Sequence, residues 1–358
     1  MKRLIAIFSL ICIIFSLSAC SGGYEPKESS EKEKETALTL TAYGKEYKVR
    51  YELWRAFYLT YRDEIEGEGE EYRNAVNALV LERIADIYSV FALCDRLGID
   101  LYSRSVEREI EGLIKASVEG TDGSVGFESY DDYLSSLQKM NLNYSTQVLL
   151  LRYGIGLREI DEYYIGTFDA DSINDGIKLG ELTYTREDIK EYYYSDACVR
   201  VLRAHIQAAA YYEPMEYAMT VKERMENAAL SGESAVATVI INTGLTAPTE
   251  VERGYVIARH NLDKLYYKDM TDAAFALDFG CVSDPIQTNY GEGDVIFILY
   301  KAEKSDEHFE KSYSEIAYVY LTDTVGSYLN DTATELKESA VYTDFLAELN
   351  FDEVTMND

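Results

Sequence analysis

Three histidines, His205, His260 and His308, are the only imidazoles in the chain, and none stands at a spacing that holds a metal ion. No Gly-x-Ser-x-Gly frame lifts a serine nucleophile out of a strand–helix elbow, and no phosphate-loop glycine pattern occurs. Asp169, Asp171 and Asp175-Gly176 hint at a calcium loop, but Ile173 and Leu182 stand where oxygen ligands belong. No metal and no cofactor is therefore expected. Cys94, Cys198 and Cys281 are scattered and form no CxxC pair, so they are expected to be small buried residues rather than a disulfide framework.

The elements around these residues give a clearer picture. The chain opens with Met1-Lys2-Arg3, an apolar run from Leu4 to Leu17, and Ser18-Ala19-Cys20. Positive charge, a short apolar core and small residues make an export signal, and the run is shorter than the roughly 20 residues of a membrane span. Residues 21–36 are polar and charged without apolar period, which predicts a flexible tether. Leu38, Leu40 and Ala42 alternate with threonines ahead of Tyr43-Gly44-Lys45, a strand or hairpin. Val76, Val80, Ile84, Ile87, Phe91 and Cys94 recur at helical spacing up to Leu97-Gly98. Further helices are expected from Val106, over Tyr130 to Met140, and over Thr146 to Tyr164. Residues 166–181 look like a hinge, and Thr185-Arg-Glu-Asp188 resembles a capping box. The period then changes, with a strand through Arg203-Ala204-His205-Ile206, a helix over Met215 to Leu230, and mixed short elements to Tyr300. Helix is expected again from Tyr313 to Leu349. Net charge is −30, which repels nucleic acid and excludes it as a partner. The 32 tyrosines suit half-buried helix faces and wet binding surfaces alike.

Leu17-Ser18-Ala19-Cys20 resembles the lipobox of bacterial lipoproteins, which implies a lipid anchor on Cys20. The order of elements resembles the exported foldases of the PrsA and SurA type. Gly44-Lys45-Glu46-Tyr47 stands where those proteins have a short Asn-Gly-Lys hairpin, and Ile189-Lys190-Glu191-Tyr192-Tyr193 matches the helix leading into their isomerase domain. Ser231-Gly232-Glu233 matches a small-Gly-acidic turn, and Arg253-Gly254 an Arg/Gly-Gly step. The most specific stretch is Ala273-Ala274-Phe275-Ala276-Leu277, then Gly280, Val282-Ser283 and Pro285-Ile286-Gln287-Thr288. It resembles the family's Ala-Phe-x-Leu-x-x-Gly-x-x-Ser-x-Pro-Val-x-Thr block.

The resemblance implies an α+β chain, a helical chaperone lobe with an inserted parvulin-like α+β domain. Its parts would be a signal peptide over 1–19, a tether over 20–36, the lobe over 37–165 and a hinge with lead-in helix over 166–198. The parvulin-like domain would span 199–302, and 303–358 would return to the lobe. It also implies unfolded or exported polypeptides as partners, a lipid bilayer reached through the anchor, and the extracytoplasmic face of the cell membrane as location. Parvulins turn X–Pro bonds by holding the ring in an apolar socket beside two facing histidines, a Cys or Asp, and a hydroxyl, without metal or nucleophile. Carried over, His205 would be the first histidine and Thr288 the hydroxyl, with Tyr266, Met270 and Phe275 at the proline pocket. The pattern then departs: Tyr290-Gly291-Glu292-Gly293-Asp294 replaces Gly-x-His, and Gly244 or Leu245 replaces the Cys or Asp. The expectation is a chaperone whose isomerase activity is weak or absent. A lipid-anchored solute-binding or adhesion protein and a fully active isomerase are the alternatives.

Overall fold

The computed structural model describes residues 28–63, 65–121, 126–165, 177–179, 182–260, 264–290 and 293–356. Cys20, the export segment and the Asp169–Asp175 run lie outside them. The chain divides into two compact units, Met1–Ile160 with Tyr328–Asp358, and Asp161–Ser327. Residues 303–327, expected with the helical lobe, thus cluster with the second unit.

In the first unit a helical turn, α1 (Glu31–Lys34), precedes the hairpin β1 (Thr36–Ala42) and β2 (Lys45–Arg50). Tyr43 and Gly44 both take positive φ, 52° and 74°, as the two-residue turns that match strand twist require. The hairpin runs directly into α2 (Tyr51–Arg62), followed by α3 (Gly69–Leu97), α4 (Arg104–Glu119), α5 (Tyr130–Lys139) and α6 (Tyr144–Tyr164). Gly98, in the left-handed region at φ 73°, ends α3 where the sequence placed the stop. Helix α2 buries its charged residues Glu52 and Arg55 along with Tyr51, Trp54 and Tyr58.

The segment from Ser29 is not a free tether. Ser30 and Glu33 form a reciprocal capping box on α1. Glu33 then meets the buried Arg55 at 2.6 Å and accepts from Asn143 Nδ2 at 3.0 Å. Ser29 donates to the buried Glu52 at 2.5 Å. Burial pushes the Glu33 carboxyl up, but the Ser30 amide, Asn143 and Arg55 together hold it below its ordinary value. The polar composition that reads as disorder is therefore satisfied by partners far along the chain.

The second unit holds the short hairpin β3 (Ile177–Leu179) and β4 (Leu182–Tyr184), then α7 (Arg186–Tyr194), capped by Thr185 and Asp188 as the sequence indicates. Next come β5 (Cys198–Gln207), α8 (Pro214–Ala229), α9 (Glu233–Thr243), α10 (Pro248–Arg253), β6 (Tyr255–Ala258), α11 (Lys264–Ala276), β7 (Ile286–Tyr290) and β8 (Gly293–Ala302). The strands form one antiparallel sheet in the order β6-β5-β8-β7. Alternate residues of β5 and β8 feed two cores. Leu202, Ala204, Ile206, Ile296 and Ile298 pack with Ala218, Val221 and Met225 of α8 and Val236 and Ile240 of α9. Val199, Val201, Val295, Phe297 and Leu299 pack on the opposite face with Met270 and Ala274 of α11. Helices α12 (Asp306–Lys311) and α13 (Tyr313–Glu338) follow, the second unit ending within α13.

The tail expected as helix to Leu349 is only partly so. After α13 the chain makes β9 (Val341–Tyr342), which adds to β1 with Leu38 opposite Tyr342, and then α14 (Asp344–Ala347). Phe345 and Phe351 close an aromatic stack begun on α2: Tyr51 lies 5.3 Å from Phe345, and Trp54 lies 4.7 Å from Tyr58 and 5.5 Å from Phe351. Rings in this offset and edge-on range add about 0.5–1.5 kcal/mol per pair beyond burial, so the tail is part of the first unit's core.

Candidate functional site

The sheet of the second unit places the candidate residues. His205 sits on β5 opposite Phe297 of β8, and Phe297 in turn sits opposite Ile286 of β7. Thr288 lies one row further on, opposite Val295, which is itself opposite Gln207. His205 and Thr288 thus share the α11 face but have β8 between them, roughly 12 Å apart from strand spacing and rise. That is beyond hydrogen-bond reach, and the apolar Phe297 and Val295 occupy the space between.

His205 packs its ring on Phe297, 5.1 Å between centroids. Its Nε2 is buried with no hydrogen-bond partner among the described residues, and so is Nε of Arg203, two residues back on the same face. Burial lowers the His205 pKa, and the Arg203 charge lowers it further, so the imidazole is neutral at physiological pH. The Arg203 guanidinium lies 3.9 Å from the Tyr255 ring centroid and 5.0 Å from that of Phe297. Tyr255 donates to Glu250 Oε2 at 2.7 Å. Sequence reasoning missed Arg203, Glu250 and Tyr255. The two-residue spacing of Arg203 and His205 on one strand face was the signal available for the first.

Met270 is core, buried with Ala274 beneath α11. Phe275 packs at the edge of that core under Arg259, whose guanidinium is 4.3 Å from its ring. Tyr266 falls within α11, and its side chain lies outside the described residues. Thr288 is half-buried. Where the resembled pattern has a Cys or Asp, Gly244 caps α9 at φ 67° and Leu245 packs on the core. Asp294 is exposed and accepts from Gln287 Nε2 at 3.2 Å, while Gly291 and Glu292 lie outside the described residues. Cys94 and Cys198 are buried, and burial first of all pushes their thiols up to about 12 and about 11, which leaves them unreactive. Cys281 is exposed, contrary to the expectation for all three. It follows the α11 turn at Gly280, outside both cores.

No family model matches the chain, and no curated protein matches it. Among the solved structures it resembles are PrsA foldases. The foldase protein PrsA of Lactococcus lactis is 12% identical, with 90% of this chain and 99% of that one covered, at a TM-score of 0.24. PrsA of Streptococcus pneumoniae is 15% identical over 75% and 87%, at 0.23. A peptidylprolyl isomerase, PrsA of Bacillus cereus, is 13% identical over 76% and 88%, at 0.21. TM-scores this low leave the assignment of function to the residues.

Two sequence motifs find their physical reason in one buried arginine. Arg200 of β5 forks onto Glu233 at 2.6 and 2.9 Å and donates to the Glu303 carbonyl at 2.8 Å. Gly232, at φ 95°, turns the chain so that Glu233 opens α9 toward it. Gly254, at φ 70°, passes Val201 O so closely that a Cβ would lie 3.2 Å away. The Ser-Gly-Glu turn and the Arg-Gly step are thus scaffold around Arg200.

A second polar centre is the buried His308, with Nδ1 2.8 Å from the Tyr193 hydroxyl and Nε2 3.3 Å from Ser312 Oγ. Burial, followed by the Arg200 charge, lowers its pKa to about 4. The unfolded chain binds that proton first, near pH 6.5. The stabilisation is therefore complete above that value and lost as pH falls from about 6.5 to about 4, about 3 kcal/mol in all. Urea midpoints measured across this window are expected to fall more steeply for wild type than for His308→Gln. Equal slopes would remove His308 as the cause.

In the first unit, a cleft of about 410 Å³ is lined by Ile99, Asp100, Ser103, Ser105, Val106, Glu109 and Glu159. It is acidic, and Arg158 pairs with both Glu109 and Glu159. Among the described residues no group of three or more His, Cys, Asp or Glu could hold a metal ion, and no helix is long and apolar enough to cross a membrane.

Proposed function

We propose that this chain is an extracytoplasmic chaperone of the PrsA/SurA type, anchored by lipid on Cys20, whose parvulin-like domain over 199–302 has weak or no isomerase activity. The observation that carries the reading is the sheet face itself. His205 and Thr288, the two residues the family motif assigns, lie on one face of an antiparallel sheet, as a descended site requires. Phe297 and Val295 stand between them, Met270 is taken up in the core, and among the described residues no second imidazole faces His205. A neutral imidazole with an unpartnered Nε2 can still accept or donate one hydrogen bond. It cannot supply the facing pair that holds a twisted amide.

The experiment is a proline-peptide isomerisation assay beside an aggregation-suppression assay, on wild type and His205→Ala. Wild type is expected to suppress aggregation with little isomerase rate, and His205→Ala to leave suppression unchanged. A robust isomerase rate abolished by His205→Ala would refute the degenerate site, and no suppression by wild type would refute the chaperone. In cells, Cys20→Ala should release the protein from membranes and end lipid labelling, and its retention would refute the anchor.

A further inference from the structure

On the sheet face opposite His205, the start of α8 carries apolar side chains that the fold does not use. Tyr212 is 98% exposed, and Met215 and Met219, one helical turn apart, are 39% and 48% exposed. Ala218 and Val221 of the same helix are fully buried, so α8 has satisfied its core face without them. Beside them Tyr211 and Tyr217 stack at 4.2 Å and 13°, resting on the core and giving the patch a rigid aromatic wall. Single exposed apolar residues are ordinary, but five Tyr and Met side chains within nine residues are a patch.

Its charge is one-sided. From Gln207 to Val221 the only charged residues are Glu213 and Glu216. Their carboxyls lie within hydrogen-bonding reach of each other, which raises the pKa of Glu213. The next cation along the helix, Lys222, is already held by Glu226 at 3.2 Å and Asp284 at 2.9 Å. Two crowded carboxylates beside unbranched, polarisable methionines and exposed tyrosines complement a chain that alternates apolar and cationic groups.

We propose that the Tyr211–Met219 surface docks basic, apolar segments of client polypeptides. The proposal rests on the chaperone reading but places the holding surface on the 199–302 domain, on the sheet face opposite His205.

The test uses the full chain and a short fluorescein-labelled peptide that alternates Leu or Phe with Lys, followed by anisotropy. A matched peptide with Glu in place of Lys is the control. Wild type should bind the Lys peptide and not the Glu peptide, and more weakly as salt rises. Tyr212→Ser/Met215→Ser/Met219→Ser should weaken binding about ten-fold or more. Glu213→Gln/Glu216→Gln should weaken it less and flatten the salt dependence. All these changes are on the surface, and a circular dichroism spectrum and melting point like wild type's check the fold. Equal binding of both peptides, or binding untouched by the triple variant, would overturn the proposal. So would a dimer that the triple variant dissociates, because the occupant would then be a second copy. Loss of Lys-peptide binding in the triple variant with aggregation suppression intact would also overturn this site while leaving the chaperone reading standing. Peptide binding without any suppression by wild type would support the surface and refute the chaperone.

Discussion

Gly326→Ala is expected to cost the second unit about 3–5 kcal/mol, at the upper end of single substitutions. A Cβ built on Gly326 would collide with the His260 carbonyl oxygen, far inside van der Waals contact, and would lie 2.9 Å from its carbon. The obstacle is backbone, so no rotamer change relieves it. The turn at His260 is also pinned to α13: its amide donates to Asp323 Oδ1 at 2.6 Å, and the other oxygen of that buried carboxylate accepts from Tyr192 at 3.1 Å. Displacing the turn breaks these bonds together. Gly112→Ala, inside α4 with nothing within 4 Å, is the control. It should stabilise by about 0.5–1 kcal/mol, the helix preference for Ala over Gly. Denaturant unfolding of both variants checks the pair, and similar midpoints for the two would contradict the close approach.

Glu233→Ala should destabilise the same unit by about 2–4 kcal/mol. The change strands the Arg200 guanidinium, only 5% exposed, with the Glu303 carbonyl as its one remaining acceptor among the described residues. Breaking a buried pair costs about 3–5 kcal/mol, and the partial exposure of Glu233 brings the figure down. Glu233→Gln retains the shape and one acceptor oxygen and should lose roughly half as much. A melting point for Glu233→Ala within a degree of wild type would show that Arg200 finds another partner.

Strong periodicity was legible in the sequence: α3 with its glycine stop, the Thr185 capping box, and β5 through His205. Elements made by distant partners were not. β9 is two residues long and exists because β1 offers Leu38 and Thr39 to it. Glu52 and Arg55 look like solvent-facing charges on α2 until Ser29, Glu33 and Asn143 are seen to close around them. At the site, residue types and strand positions were readable, but the distance between His205 and Thr288 was not. It depends on β8 threading between β5 and β7, and one strand of separation decides whether two groups can act on one bond.

Under the proposed lipid anchor, the docked segment at Ser29–Glu35 would also set how far the body can stand from a membrane. Only nine peptide steps separate Cys20 from Ser29, a reach of roughly 30 Å even when fully drawn out. If Cys20 carries the proposed lipid, the first unit would work on a short leash. A pull on that leash would load the Glu33–Arg55 pair and α2 before the rest of the first unit, making this charged latch its mechanical ground.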